Sequence, residues 1–479
     1  MEPGREASSH GCHIVAMPYP GRGHINPMMN LCKLLCSKNP RIHITFVVTE
    51  EWLGFLSADK TPSAIRFATI PNVIPSEIGR ARIFLQFLDA VSSKMEAPFE
   101  LLLDTLETPP DAIVSDTYLD WVVRVGNRRN VPVASLWTMS ATMFSILHHF
   151  ELVRKKQHYP VDISECGREI VEYLPGVPAL RLEDFPTIFD DLGKRCLPHT
   201  LRALSEVVNA QYVLLASMYE LEPSTVEALQ SEFRFPVYTI GPVIPFMNLK
   251  EKDQDYPLDY IQWLNRQEKE SVLYISMGSF LSASGEKMEE IIAGVRASRV
   301  PYLWVSRDAI EDNGEGNGMV VPWCNQLRVL THPSIEDNGE GNGMVVPWCN
   351  QLRVLTHPSI GGFWTHGGFN STVEATFAGV PMLVTPLFFD QVPNSKAIAE
   401  DWKIGWRIKL ENVVSRKEIS ELIRNFMDID SFAGKEMRKK AEKMKEFCTK
   451  TISKGGKSDL NLYAFVNDIF EKKLETGRL

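Results

Sequence analysis

The chain has 479 residues, 44% of them hydrophobic, and a formal charge of -9 at pH 7. That is enough apolar material for a large buried core and for more than one domain. The acidic balance, with no long basic stripe, excludes a dedicated nucleic-acid binder, which concentrates Lys and Arg on one face.

The first residues, MEPGREASSHGCHIVAM, lack the apolar centre of a signal peptide, and no run approaches the roughly 20 apolar residues that span a bilayer. The cysteines are scattered without a CxxC pair, which fits reduced thiols, so a cytoplasmic protein with no integral membrane segment is expected. β-rich runs then alternate with helical patterns. CHIVAMPYP and IHITFVVTE flank a helical stretch at 26–39, and DAIVSDTYLDW, VPVASLWT and QYVLLAS continue the series to about residue 217. Such alternation is the mark of a parallel sheet wrapped by helices, the doubly wound α/β class. YTIGPVIPFMNLKEKDQDYP, rich in Pro and then in charge, marks a boundary. The pattern restarts with SVLYISMGSF, a helix at 285–299, YLWVSRD, MVVPW, IGGFWTHGG and VPMLVTP, and residues 415–479 are helical with one charged face. Two doubly wound Rossmann-like domains are expected, at 1–245 and 246–465, with 466–479 a helix end packing back on the first domain. Folds of this kind bind ligand in the crevice outside the strand carboxyl ends.

Within the second series, residues 310–334 recur unchanged as 335–359, so VVPWCNQLRVLTHPS occurs twice. Two copies of so short a unit cannot make a solenoid core. If the second copy docks, the first only lengthens a surface loop, at a cost of about 1 kcal/mol. If the first docks, extra residues must be inserted between its helix and the next strand. The second copy is therefore expected to serve, leaving Trp323 and Gln326 redundant in an apolar, β-prone segment that competes for the same slot or aggregates.

The turn PYPGRGHINP has Gly21 and Gly23 but breaks the G-x-G-x-x-G fingerprint at Asn26, which argues against a hydride-transfer enzyme. Pro27 is expected in the first turn of the following helix. A lone turn histidine is usually only solvated, yet His24 stands at the carboxyl end of the first strand, where doubly wound folds place chemistry. Asp116 ends the DAIV strand and can accept from one imidazole nitrogen, leaving the other to take a proton; Asp120, one helical turn on, is the alternative. No G-x-S-x-G elbow supports a serine nucleophile. In THGGFNSTVEATFAG a glycine turn leads into a helix with Asn370, Ser371 and Thr372 as capping residues, a natural anion site to which His366 adds a donor. SMGS at 276–279 is a second small-residue turn that can face the same anion, and neither turn is a Walker A loop.

Residues 348–391, WCNQLRVLTHPSIGGFWTHGGFNSTVEATFAGVPMLVTPLFFDQ, resemble the signature box of the plant family 1 UDP-sugar-dependent glycosyltransferases. GRGHINP, SDTYLDW, LWTMSA, YLPGVP, SMGSF, YLWVSRD and DQVPNSKAIAEDWKIG fall in that family's order along the whole chain. The resemblance implies a GT-B fold, two Rossmann-like domains facing a cleft. It further implies that Trp348 stacks on uracil, Cys349 meets the base through its backbone, Gln351 holds the ribose and Glu374 both ribose hydroxyls. His366, Asn370, Ser371 and Ser279 would hold the diphosphate, Asp390 and Gln391 the sugar hydroxyls, and Thr138 would reach the sugar from the other domain. Gln391 resembles glucose-selecting members, so UDP-glucose is the implied donor substrate, with no cofactor and no metal, and a monomer is expected. The implied reaction is inverting: His24, backed by Asp116, deprotonates an acceptor hydroxyl and yields a β-glucoside. Met139, Met143, Phe144, His148, His149 and Phe185 are candidates for a pocket that takes a small lipophilic acceptor. Two departures stand out, Gly367 where the family has Cys and Phe369 where it has Trp. The other reading is a UDP-sugar-binding protein whose turnover the duplication has disabled.

Overall fold

The structure, a computed structural model, describes residues 11–56, 61–78, 80–250, 259–277, 285–305, 318–321, 343–345, 349–408 and 415–475. Contacts group Met1–Leu182, Ile188–Ile244 and Thr451–Leu479 into one compact unit, and Glu183–Thr187 with Pro245–Lys450 into another.

The first unit is built on β1 (Cys12–Met17), β2 (Ile42–Thr49), β3 (Ile65–Ile70), β4 (Ala112–Asp116) and β5 (Val133–Trp137). A small antiparallel pair, β6 (Ile170–Val171) and β7 (Leu180–Arg181), precedes β8 (Tyr212–Leu215) and β9 (Val237–Thr239). The parallel sheet runs β3-β2-β1-β4-β5-β8-β9. Its central strands read as continuous apolar runs because helices cover both faces; every residue of β4 and β5 is buried. Strand order reverses between β1 and β4, the switch point at which such sheets leave a crevice. Pairing of Met17 with Ser115, and of Asp116 with Leu136, brings the carboxyl ends of β1, β4 and β5 side by side.

The helix Arg22–Lys38 starts at the glycine turn, four residues before the expected Asn26, and Pro27 lies inside it rather than in its first turn. The reason is Gly21, whose extended backbone ends the turn and whose carbonyl accepts from His24 N at 3.0 Å and Ile25 N at 2.9 Å. His24 thereby sits in the first helical turn. The chain returns to this unit at Thr451, ahead of the 466 expected from sequence. In its helix Lys457–Glu475, Asn461 donates to Thr239 O (2.8 Å), Asp468 accepts from Tyr238 (2.8 Å), and Lys473 Nζ donates to Gly11 O (2.7 Å) and Asp111 Oδ2 (2.9 Å).

The second unit carries β10 (Val272–Ser276), β11 (Tyr302–Val305), β12 (Gly318–Val321), β13 (Gly343–Val345), β14 (Ile360–Thr365), β15 (Met382–Val384) and β16 (Gly405–Arg407). Its sheet is parallel in the order β12-β11-β10-β14-β15-β16, with β13 also on β11. The switch point lies between β10 and β14. Trp364 is buried there and donates its indole N–H to Thr385 Oγ1 at 2.9 Å.

β12 and β13 are the same GMV segment from the two copies of the repeat, and both pair with β11. β13 matches Tyr302, Leu303 and Trp304, whereas β12 touches the ladder only at Val305 with Val321. The first copy is thus more than added loop, because identical residues have identical strand propensity at an available sheet edge. Only the second copy leads directly into the helix Gln351–Leu355, which Asn350 caps by accepting from Arg353 N at 3.2 Å, and then into β14. Among the described residues no helix is long and apolar enough to cross a membrane.

Candidate active site

The side-by-side ends of β1, β4 and β5 assemble a polar cluster in the first unit. His24 Nδ1 lies 2.7 Å from Asp116 Oδ2, and the histidine is 23% exposed against 2% for the aspartate. A carboxylate can only accept, so Nδ1 carries the proton and Nε2 holds the lone pair. The carboxylate is itself fixed, its other oxygen accepting from Tyr118 N at 3.0 Å. Asp120, the alternative partner, instead meets Arg124 at 3.1 Å and Arg202 at 3.5 Å.

Two neighbours of His24, Tyr19 and Tyr118, escaped the sequence reading, and a third, Thr138, was expected only as a sugar contact. Thr138 Oγ1 lies 3.1 Å from Nδ1, and Tyr19 and Tyr118 place ring centroids 5.1 Å and 5.8 Å from the imidazole. Thr138 was expected at the sugar; what places it beside the imidazole is the pairing of β5 with β4. Burial pushes the Tyr19 phenol well above its ordinary value, so it stays neutral. Of the acceptor-pocket candidates, Met143 and Phe144 are fully buried core residues and Met139 is buried, while Phe185 belongs to the second unit. His148 and His149 both turn to Glu232.

In the second unit a second polar cluster gathers behind β10, β14 and β15. Gln351 accepts from Tyr274 OH at 3.2 Å and donates from Nε2 to Ser371 Oγ at 3.0 Å and Glu374 Oε2 at 2.5 Å. Ser371 and Glu374 lie on the helix Phe369–Ala378, one turn apart. That helix begins at Phe369 with Gly368 as its N-cap, so Asn370, Ser371 and Thr372 sit inside its first turn instead of capping it. Thr372 bonds back to Gly368 O at 3.1 Å. Burial raises Glu374 to about 7, opposed by the Gln351 hydrogen bond, and lowers His366 to about 4, opposed by a hydrogen bond to the Ser276 backbone. His366 is therefore a neutral donor at pH 7, beside the N-terminal amides of the helix.

Gly367 has φ +83, and a β-carbon there would come 2.6 Å from Val384 Cγ1, so the tight turn itself favours glycine over cysteine. Asp390 Oδ2 accepts from Phe369 N at 3.3 Å and from Asn394 Nδ2 at 2.8 Å, and the same Asn394 amide donates to Gly367 O at 3.0 Å. Asn394 went unnoticed in the sequence, although its place one helical turn after Asp390 was a signal. Gln391 Oε1 accepts from Leu387 N (2.9 Å) and Phe388 N (3.0 Å), which fixes the orientation of its amide. Cys349 is buried with Sγ 3.3 Å from Tyr274 OH. Trp348, Ser279, Trp323 and Gln326 lie outside the described residues.

Two Rossmann-like α/β units, each with polar side chains collected at the strand ends of its switch point, are the architecture of the GT-B glycosyltransferases. The family profile described as UDP-glucoronosyl and UDP-glucosyl transferase matches residues 192–338 and again 336–439, more than half the chain, and the two matches meet just past the start of the second repeat copy. UDP-glycosyltransferases 87A2 and 87A1 of Arabidopsis thaliana are each 46% identical to the chain, covering 98% and 95% of it and 99% of their own lengths. The solved structure of Phytolacca americana UGT2 complexed with UDP-2fluoro-glucose and pterostilbene superposes with a TM-score of 0.77 at 25% identity, over 96% of this chain and 99% of that one. The chain belongs to the plant family 1 UDP-glycosyltransferases, and it is a glycosyltransferase enzyme of the GT-B fold.

Proposed function

We propose that the chain transfers glucose from UDP-glucose, with inversion, to a hydroxyl of a small lipophilic acceptor such as a flavonoid, phenolic, terpenoid or hormone-like alcohol. The observation that carries this reading is the 2.7 Å hydrogen bond from His24 Nδ1 to buried Asp116. Nε2 takes the proton of the acceptor hydroxyl while Asp116 stabilises the imidazolium that forms. The oxygen attacks the anomeric carbon from the face opposite UDP, and an α-linked donor leaves as a β-glucoside. Charge on the departing diphosphate is met by His366, Asn370, Ser371, Ser279 and the amides of the helix Phe369–Ala378, without a metal. Trp348 and Cys349 take the base, Gln351 and Glu374 the ribose, and Asp390, the Gln391 amide and Thr138 the sugar. The first unit binds acceptor and the second binds donor, in a cytoplasmic monomer. The fluoroglucose nucleotide and the phenolic stilbene in the Phytolacca complex support both substrate classes.

The test is UDP release from UDP-glucose and from UDP-galactose across a panel of phenolic and terpenoid alcohols, with the product's anomeric configuration read by NMR. Acceptor-dependent release with UDP-glucose and a β-linked product are expected. UDP binding without any acceptor-dependent release would mark a donor-binding protein, and an α-linked product would exclude the base mechanism.

A further inference from the structure

The helices Ala141–His148 and Pro223–Glu232 of the first unit are joined at both ends by glutamates. At one end the buried Glu222 carboxylate accepts from Ala141 N at 2.8 Å and Thr142 N at 2.7 Å, satisfying amides that a helix start leaves open. At the other, Glu232 Oε1 lies 3.1 Å from His148 Nε2 and Glu232 Oε2 lies 2.8 Å from His149 Nε2. Among the described residues this is a group of side chains whose ligand atoms all fall within 4.8 Å of one another.

The hydrogen-bond inventory of His149 is the informative part. Its Nδ1 lies 2.9 Å from the Ser145 carbonyl, which can only accept, and the Ser145 hydroxyl, 3.1 Å from the same nitrogen, gives its own proton to Pro175 O. Nδ1 must therefore carry hydrogen. With Nδ1 so engaged, the 2.8 Å approach of Nε2 to the Glu232 carboxylate calls for a cation at Nε2, either a proton or a metal ion. His148 packs against Phe144 and Phe233, with ring centroids 5.7 Å and 5.0 Å away, which holds its ring in place. A divalent ion suits all three groups. Tetrahedral ligands at zinc distances stand about 3.4 Å apart, so the observed spacings need only small side-chain shifts. An Nδ1–H held by a backbone carbonyl is also the usual way a ligating imidazole is oriented.

We propose that His148 Nε2, His149 Nε2 and the Glu232 carboxylate form a binding site for a zinc-type divalent transition metal, with a coordination position open to solvent. The site stands apart from the residues assigned to base and donor and does not depend on the reading of the reaction. Bound metal clasps the carboxyl ends of the two helices as Glu222 clasps their amino ends. Two imidazoles with one carboxylate select zinc, cobalt or nickel over magnesium, which prefers oxygen ligands throughout.

Calorimetric titration of the chelator-treated full chain with ZnCl₂ and, separately, with MgCl₂ tests this. A single equivalent of zinc, no magnesium, and an upward shift of the thermal midpoint with zinc are expected. Glu232→Gln and His149→Gln should each weaken zinc binding by about tenfold or more, with circular dichroism spectra unchanged. If the histidine variant misfolds, the near-isosteric Glu232→Gln decides alone. Because cysteines also take zinc, CoCl₂ is added in parallel. A cobalt spectrum without a thiolate charge-transfer band supports the site. A thiolate band, zinc affinity unchanged in Glu232→Gln, or no stoichiometric zinc uptake would each overturn it.

Discussion

Asp116 accepts from His24 through one oxygen and from the Tyr118 backbone through the other, so its carboxylate orients the imidazole as well as charging its surroundings. Asp116→Asn keeps the size and loses both functions: kcat should fall about 10²–10⁴-fold while UDP affinity is unchanged, measured by steady-state turnover beside UDP titration. Equal losses in both would remove the dyad from the mechanism. Glu374 supplies a pH dependence of its own. Desolvation lifts its carboxyl to about 7 from an ordinary 4.5, so the folded chain binds an extra proton between those values, and stability falls as pH rises through that window. For the ribose contact proposed for Glu374, the ionised carboxylate is the stronger acceptor. Uridine, which lacks the titrating phosphates of UDP, should therefore bind more tightly as pH rises through 7, and Glu374→Gln should flatten that slope. His366, at about 4, is already neutral across this range and contributes nothing to the slope. At this scale the pairing of His24 with Asp116 was among those the sequence offered, because both stand at the carboxyl ends of strands. Other site contacts were not. Tyr19, Tyr118 and Asn394 reach the site through ring packing and helical-turn neighbours that a linear reading leaves unranked.

Element by element, alternation of apolar runs and helical patterns located the strands, since strands covered on both faces leave a continuous apolar signature. Helix starts were less legible. Both the Arg22 and Phe369 helices begin at a glycine whose carbonyl or cap position, and not a polar side chain, sets the first turn. The repeat is the other case: sequence said that the spare copy competes for the same slot or aggregates, but not that both copies pair with β11, because that edge exists only after the sheet forms. Removing residues 310–334 leaves β13, Asn350, Gln351 and β14 in unbroken succession. Sugar transfer by that deletion should equal or exceed the parent, with less aggregation by light scattering; lost transfer would make the first copy the working one.

For the whole molecule, both early and late segments of the chain contribute to the first unit. Lys473, in the helix Lys457–Glu475, ion-pairs with Asp111, which is 6% exposed and also accepts from His13 N at 2.8 Å. Lys473→Met leaves that carboxylate without its cation and should destabilise the first unit by about 3 kcal/mol. Hydrogen exchange should quicken in β1 and β4 and stay as before in β14; equal loosening of β14 would mean that the two units unfold together. Sequence by itself determined the class of fold and the family, because apolar periodicity and a long contiguous motif are local properties of a chain. Tertiary structure decided which carboxylate serves His24, which repeat copy feeds Gln351 to Glu374, and at which residue the chain returns to the first unit. Those are choices among groups as far apart in the chain as the 92 positions between His24 and Asp116, and only strand pairing makes such groups neighbours.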